Sequence, residues 1–584
     1  MPTLNASVSG SGVETSSRRP VREWICIAFV FVAACVSWIP RCSGPIDLRW
    51  DGGTYYILGT SLAEGKGYRL LNEPGEIEAI QYPPLLPAIV ALHQQVLGTS
   101  EPAVVGRWLR LTYFLFSVGL ALASFALARL FLPLRYAVPL ALISVSTYEM
   151  TFLSTLCFAE LPFALATVLC AYWSYKPDSG PWARVGAGAA AIAAYLLRGV
   201  GIALLAAWVF EALFRKRFRT AALRACVSCV PVLLWQGYIQ SVEHSVAYQH
   251  PAYSYQRAPW LFYNVSYATN LSLRSPFQPE MGAASLGDMA SRVVTNAAAL
   301  LYNLGELVLA PSHFIYGYHN VLSRLLWPVS IPWWPINGVV CLFGCAVIAG
   351  IGILVFQRQW LPAVYLTATL MAVCITPWPG QVLRYFAPTT PFVLLALFGL
   401  FRFVERRAGE LTPSCAKFTR VVGMGVASGL VVACIVTGNT AQKNFFDRAT
   451  FTDQDGTVGR YRLFHFPPVF SSMQKAMIWL KRTAPSDSVI AVSMPHWVYL
   501  NTGIKTVMPP LDTNPVRAQK MLDSVPTRYL ILEHMLMEQD FNERFPRLIR
   551  SSPDKWQLVY TEGKIDIYRR TDSGGPFAAV RAGS

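Results

Sequence analysis

The first stretch able to do chemistry runs from Asp47 to Pro87. It opens D-L-R-W-D-G-G-T-Y-Y-I-L-G-T-S-L-A-E-G-K-G-Y and closes Q-Y-P-P-L-L-P. It is polar and rich in Gly and Pro, and it lies between the first and second long apolar segments. Asp51 stands just ahead of a run with helical spacing, in which Tyr56, Leu62 and Ala63 fall near one face. A carboxylate held where the chain leaves a membrane can take a proton from an incoming hydroxyl. The competing reading is a helix N-cap, a role Asp fills well. The two are compatible, because a cap also fixes the position of a catalytic carboxylate. Asp47 is a weaker candidate at the same end.

Glu160 is the second acid, in T-F-L-S-T-L-C-F-A-E-L-P-F. Apolar residues surround it, and an ionisable group in such a setting is a functional candidate by default. Its bland alternative is a first-turn carboxylate favoured by the helix dipole ahead of Pro162. Two arginines follow: Arg198 in L-L-R-G-V-G, and Arg384 in W-P-G-Q-V-L-R-Y-F-A-P. A planar guanidinium donates two bonds at once and suits a phosphate; otherwise each snorkels to lipid headgroups. Lys66 and Arg69 are similar but lie in an exposed part of the first loop.

These residues need a membrane to hold them. The 584-residue chain is 53% hydrophobic and 14% charged. Its apolar runs repeatedly reach the length of about twenty residues that crosses a bilayer. The sequence predicts an all-α polytopic protein with eleven spans: 25–39, 105–131, 137–153, 160–175, 184–199, 200–214, 222–240, 335–356, 360–377, 385–401 and 419–438. Alternate loops carry the basic residues: Arg135; Lys176 and Arg184; Arg215 to Arg219; Arg358; Arg402 to Arg420. The other loops have almost none apart from Arg198 and Arg384. The formal charge of +16 therefore follows the positive-inside rule rather than marking a nucleic-acid binder. The N-terminus is expected inside, and the first loop and C-terminal region outside.

Residues 1–22 read as a disordered cytoplasmic tail. Val32-Ala33-Ala34-Cys35 resembles a lipoprotein cleavage box, but processing there would remove a helix the bundle needs. Segment 290–311 is apolar enough to cross, yet Asn296, Asn303 and Glu306 argue against lipid burial; it is expected as a helix at the outer surface within the large loop 241–334. The composition changes after Thr437, predicting a small α/β domain over 439–570 and a disordered tail from 571. In that domain Ser471-x-x-Gln474 reads as a capping box opening a helix through Arg482. Segments 488–493 and 528–533 read as strands, Pro515–Ser524 as a helix, and Glu562-Gly563 as a hairpin turn. The domain shows no phosphate-cradling Gly loop. The twelve cysteines fall mostly in apolar runs and imply packing rather than disulfides or metal.

W-D-G-G-T-Y-Y with its Gly-rich turn and P-P-L, Glu160 on the outer side, R-Y-x-x-P around Arg384 and a soluble external tail together resemble the GT-C membrane glycosyltransferases. Within these, the chain is similar to protein O-mannosyltransferases and the lipid A aminoarabinose transferase. The resemblance spans the chain, with its specific part in the first loop. It implies a catalytic base at Asp51 and a second acid at Glu160. It implies a donor phosphate held by Arg384, Arg198 and Lys66, and a donor and acceptor pocket including Tyr55, Tyr82 and Tyr385. Many relatives have Glu-Lys before Pro-Pro-Leu, where the Lys contacts the donor phosphate; this chain has Gln81 and Tyr82.

The implied partners are a polyprenyl-phosphate sugar donor, a glycan, lipid or protein acceptor, and membrane lipids, with no nucleic acid. The resemblance fixes no cofactor and leaves room for a divalent metal, and the implied location is a bacterial inner membrane. The reaction would be inverting sugar transfer to a hydroxyl on the outer side. A transporter or flippase for an anionic lipid-linked sugar would use the same arginines without a base and should show internal repeats, of which none is found. A non-catalytic scaffold is the third alternative.

Overall fold

The structure is a computed structural model that describes residues 18–176, 180–257, 261–325, 332–445, 447–452, 458–464, 466–533 and 539–571. Of the two expected disordered tails, 1–17 and 572–584 lie outside the described residues.

The chain is mostly helical and closes with a small sheet domain. Among the described residues, six helices are long and apolar enough to cross a membrane: Val21–Arg41, Pro102–Phe131, Phe218–Glu243, Trp334–Phe356, Pro379–Leu411 and Pro413–Lys443. The helix pair Leu286–Val308 and Ser312–Leu325 passes the same test together but is bent by 67°. This is an integral membrane protein, but helix length and apolarity do not yield eleven spans.

The other expected spans form Leu134–Ser146, Glu160–Tyr175, Pro181–Leu197, Ile202–Phe214 and Trp360–Ile375. At a rise of 1.5 Å per residue, the shorter of these reach only about 20 Å against a core of about 30 Å. Local chemistry shortens them. Thr147 ends one helix and caps the next, its side chain accepting from the Met150 amide, so the expected span 137–153 is broken.

Segment 290–311 belongs to Leu286–Val308. This helix crosses the first third of Trp334–Phe356 so closely that a methyl at Gly305 or Gly344 would strike the carbonyl of Val340 or Leu301. Two of the polar residues that argued against lipid burial are satisfied within the protein. Asn296 donates to the carbonyls of Cys374 (3.0 Å) and Thr376 (3.1 Å), and Glu306 accepts from the Ser312 amide at 2.6 Å.

The last membrane helix continues to Phe445. Beyond it come β1 (Asp447–Thr452), β2 (Val458–Leu463), β3 (Val489–Ala491), β4 (Lys505–Val507), β5 (Thr527–Glu533), β6 (Trp556–Glu562) and β7 (Ile565–Arg570). β1 and β2 pair with each other, and the rest form one sheet in the order β4-β3-β5-β7-β6. β3 runs parallel to both β4 and β5, and β7 runs antiparallel to β5 and β6. The hairpin turn is Gly563-Lys564, one residue later than expected, because Glu562 pairs with Ile565 and Gly563 takes the positive φ of 58°. The Ser471 capping box does not form: Pro468 opens that helix a turn earlier.

The edge strand β4 is covered rather than exposed. The Thr506 amide donates to the Asn72 carbonyl at 2.8 Å, and the Lys505 ammonium binds Glu76 at 2.7 Å. The first loop, the segment around Tyr253 and the sheet domain thus pack as one layer, with Glu73 of the first loop accepting from Tyr253 at 2.6 Å.

Candidate active site

The chain enters the site through a forced turn. Trp50 has φ 53°, a region bulky side chains rarely occupy. Arg49 and Asp47 hold it there. They form a buried ion pair at 2.5 Å, and the Arg49 guanidinium lies 4.6 Å from the Trp50 ring and 4.3 Å from that of Phe470. It also donates to the Phe464 carbonyl at 2.9 Å. Asp47, the weaker base candidate, is therefore spent on this structural pair.

Asp51 is the first residue of helix Asp51–Ala63. Trp50 occupies the N-cap position, and no side chain caps the helix. The capping expected of Asp51 is not what its carboxylate does. Oδ1 accepts from the Tyr82 hydroxyl at 3.0 Å, and Oδ2 accepts from Arg384 at 2.6 Å. The same guanidinium donates from Nε to Glu160 Oε1 at 2.5 Å, and Arg198 pairs with that same Glu160 oxygen. Two acids and two arginines, from four distant parts of the sequence, form one chain: Asp51–Arg384–Glu160–Arg198. Phe158 backs Arg384 at 4.4 Å.

Exposure separates the four. Side chains of Asp51, Arg384 and Arg198 are 15%, 21% and 15% exposed, whereas Glu160 is 0% exposed. A substrate can reach the first three but not Glu160, whose place is behind the arginines.

Tyr55 and Tyr82 pack edge to face at 5.0 Å, and burial raises both hydroxyl pKa values, keeping them neutral. Tyr82, the residue just before Pro83-Pro84-Leu85, reaches Asp51. Tyr385 lies under Arg198 at 5.8 Å and donates to Gln381 at 3.2 Å. Lys66 does not join the group; it is exposed and paired with Glu64 at 3.0 Å.

Two residues absent from the sequence reading complete the surroundings. His496, on helix Pro495–Thr502 of the sheet domain, is buried next to the start of the Asp51 helix. Its ring meets Tyr263 edge to face at 5.1 Å. Burial pushes its pKa down to about 4, and the Asp51 carboxylate opposes that shift. No sequence pattern marks either residue.

Tyr68 leads away from the site. Its hydroxyl donates to the Tyr82 carbonyl at 2.8 Å, and its ring forms part of an open apolar groove of about 480 Å³ with Leu62, Pro84, Leu196, Leu234 and Trp235.

The fold has counterparts among solved structures. The Archaeoglobus fulgidus oligosaccharyltransferase in complex with an inhibitory peptide and a dolichol-phosphate superposes with a TM-score of 0.52 at 11% identity, covering 95% of this chain and 75% of that one. ArnT from Cupriavidus metallidurans bound to undecaprenyl phosphate gives 0.50 at 12% identity, covering 96% and 99%. The chain has the GT-C fold. No family model matches the sequence, and no curated protein sequence does.

A further structure of the archaeal GT-C enzyme, in complex with Zn and sulfate, matches with a TM-score of 0.51 at 13% identity, covering 93% of this chain and 73% of that one. Among the described residues, no three His, Cys, Asp or Glu side chains converge on one point. The space between Asp51 and Glu160 is bridged by the Arg384 guanidinium.

Proposed function

We propose that the protein is a membrane glycosyltransferase that moves a sugar from a polyprenyl-phosphate donor to an acceptor hydroxyl on the outer side, inverting the anomeric centre. The observation that carries this reading is the accessible Asp51 held against the accessible Arg384, with the accessible Arg198 joined to Arg384 through Glu160, and an apolar groove beginning one contact away. A base, a phosphate clamp and a lipid-compatible surface meet there. Two structures of the same fold contain dolichol-phosphate and undecaprenyl phosphate, which supports a donor of that class.

Each oxygen of Asp51 uses one accepting position, so the carboxylate can still receive a hydrogen bond from an incoming hydroxyl. In the reaction that hydroxyl passes its proton to Asp51 as its oxygen attacks the anomeric carbon. The bond from carbon to phosphate oxygen breaks, and the electron pair leaves with the lipid phosphate. Arg384 and Arg198 take up the growing negative charge. Glu160 orients both guanidinium groups from behind, a role that needs no contact with substrate. No step uses a metal.

The test is sugar transfer from a panel of synthetic polyprenyl-phosphate sugars by the detergent-purified protein. The wild type should transfer with at least one donor. Asp51→Asn, which keeps the size of the side chain and its bond to Tyr82, should turn over about 10²–10⁴-fold more slowly with unchanged thermal stability. Full activity in Asp51→Asn would remove the base. No transfer by the wild type with any donor, together with lipid-linked sugar flux in vesicles, would replace the enzyme with the transporter.

A further inference from the structure

Asp51 is approached from the membrane domain by Arg384 and from the first loop by Tyr82. A third approach comes from the sheet domain. Helix Pro495–Thr502 follows β3 and packs against the start of helix Asp51–Ala63. The contact is made at Gly53. A Cβ there would lie 3.0 Å from the His496 Cβ and 3.0 Å from the Leu48 carbonyl, so only a residue without a side chain admits His496 this closely. β3 is also the strand from which the parallel part of the sheet continues to both sides, to β4 and to β5. The ends of strands at such a switch point are where open α/β sheets place their ligands.

His496 is 4% exposed, and neither ring nitrogen makes a hydrogen bond to any described residue. Its only described ring contact is the edge-to-face one with Tyr263. Both nitrogens of the imidazole are thus left open to an arriving partner. Burial keeps this ring neutral, with one nitrogen donating and one accepting.

We propose that His496 is the sheet domain's contribution to the reaction centre, where it holds the acceptor hydroxyl in line for Asp51. The inference rests on the transferase reading above. The acceptor O–H donates to Asp51, one lone pair of its oxygen accepts from the His496 N–H, and the other lone pair attacks. The proton ends on Asp51, and His496 is unchanged by the reaction. The sheet domain is then part of the catalytic centre rather than an appendage, and the acceptor enters between it and the first loop.

The test uses the full-length protein in detergent with tritiated polyprenyl-phosphate mannose as donor and n-octyl α-mannoside as the hydroxyl acceptor; if the panel above identifies another active sugar, that donor replaces mannose. His496→Phe keeps the ring against Tyr263 but has no nitrogen. Its kcat/KM for octyl mannoside should fall tenfold or more while the donor KM stays within twofold of wild type. His496→Gln, which restores an N–H donor, should recover most of the loss at equal thermal stability. Unchanged acceptor kcat/KM in His496→Phe overturns the proposal. So does a loss shared equally by Phe and Gln variants, or one accompanied by a shifted donor KM, since a packing role alone predicts these. If His496→Phe does not fold, wild-type acceptor kinetics in His496→Asn, which carries no group reaching as far as the ring nitrogen Nε2, overturn it too. A wild type inactive with every donor would instead defeat the transferase reading.

Discussion

Arg384 is the residue on which both acids depend. It gives one bond to Asp51 and one to Glu160, whereas Arg198 serves Glu160 alone. Removing one partner of a buried ion pair leaves an uncompensated charge, at a cost of about 3–5 kcal/mol. Arg384→Ala should therefore lower the melting temperature markedly, because it leaves Asp51 without a cation and Glu160 with only Arg198, and Arg198→Ala should lower it much less, because both acids keep Arg384. Equal melting temperatures for the two variants would mean that Asp51 does not need Arg384. Arg384→Lys should not rescue, because a single ammonium cannot reproduce a fork between two carboxylates. His496 gives a pH prediction. Its folded pKa of about 4 lies below the usual 6.5 or so of an unfolded histidine. Between those values the unfolded chain binds more protons, so stability is intact above about pH 6.5 and declines as pH falls toward 4. The slope is at most one proton, about 1.4 kcal/mol per pH unit. Through this window the wild type should lose more stability than His496→Gln as pH drops, and parallel curves would show that burial does not lower the pKa of the ring.

At the scale of elements, the turn Asp47–Asp51 and the helix it opens carry the site. Asp47 and Arg49 lock Trp50 at positive φ, which delivers Asp51 at the helix start with its side chain turned to Tyr82 and Arg384 rather than to its own backbone. Gly53 sets how closely the sheet domain docks on this helix. Gly53→Ala should overpack the junction, costing about 1–3 kcal/mol, and should depress transfer without changing the length of the membrane helices. A wild-type melting temperature for Gly53→Ala would mean the helices separate freely. The four charged residues were legible in the sequence because an ion among apolar neighbours has few explanations. Their pairing was not, because Arg384 lies 333 positions from Asp51 and no local spacing encodes that register. His496 was invisible because a histidine in a short helix of a soluble domain looks ordinary until its neighbours are known. The capping reading of Asp51 failed for a related reason: propensity favours a cap, but an arginine from elsewhere in the chain offers the carboxylate a stronger partner. Length alone does not fix the span count, since a buried helix needs fewer apolar residues than one facing lipid on all sides.

For the molecule as a whole, the charges sort to two ends. Asp51, Glu160, Arg198 and Arg384 gather where the sheet domain docks, and His496 joins them from above. At another place the basic stretches are gathered on buried acids: Glu405 binds Arg135 at 2.5 Å and Arg420 at 2.6 Å, and Glu211 binds Arg224 at 2.5 Å. Arg135 stands in the first turn of helix Leu134–Ser146, whereas the Glu160 region follows that helix at its far end, so one helix separates the two groups. Basic residues stay on the cytoplasmic side. The first loop and sheet domain, tied through Asn72, Glu76 and Gly53, must share a side, and that side should be the outer one. Single cysteines at Ser551 and Arg217, both exposed, test this in a variant without the exposed native cysteines. A membrane-impermeant maleimide applied to intact cells should label the first and spare the second until the membrane is opened. Labelling of Arg217→Cys alone would invert the protein and place the reaction in the cytoplasm, where a donor facing outward could not reach Asp51.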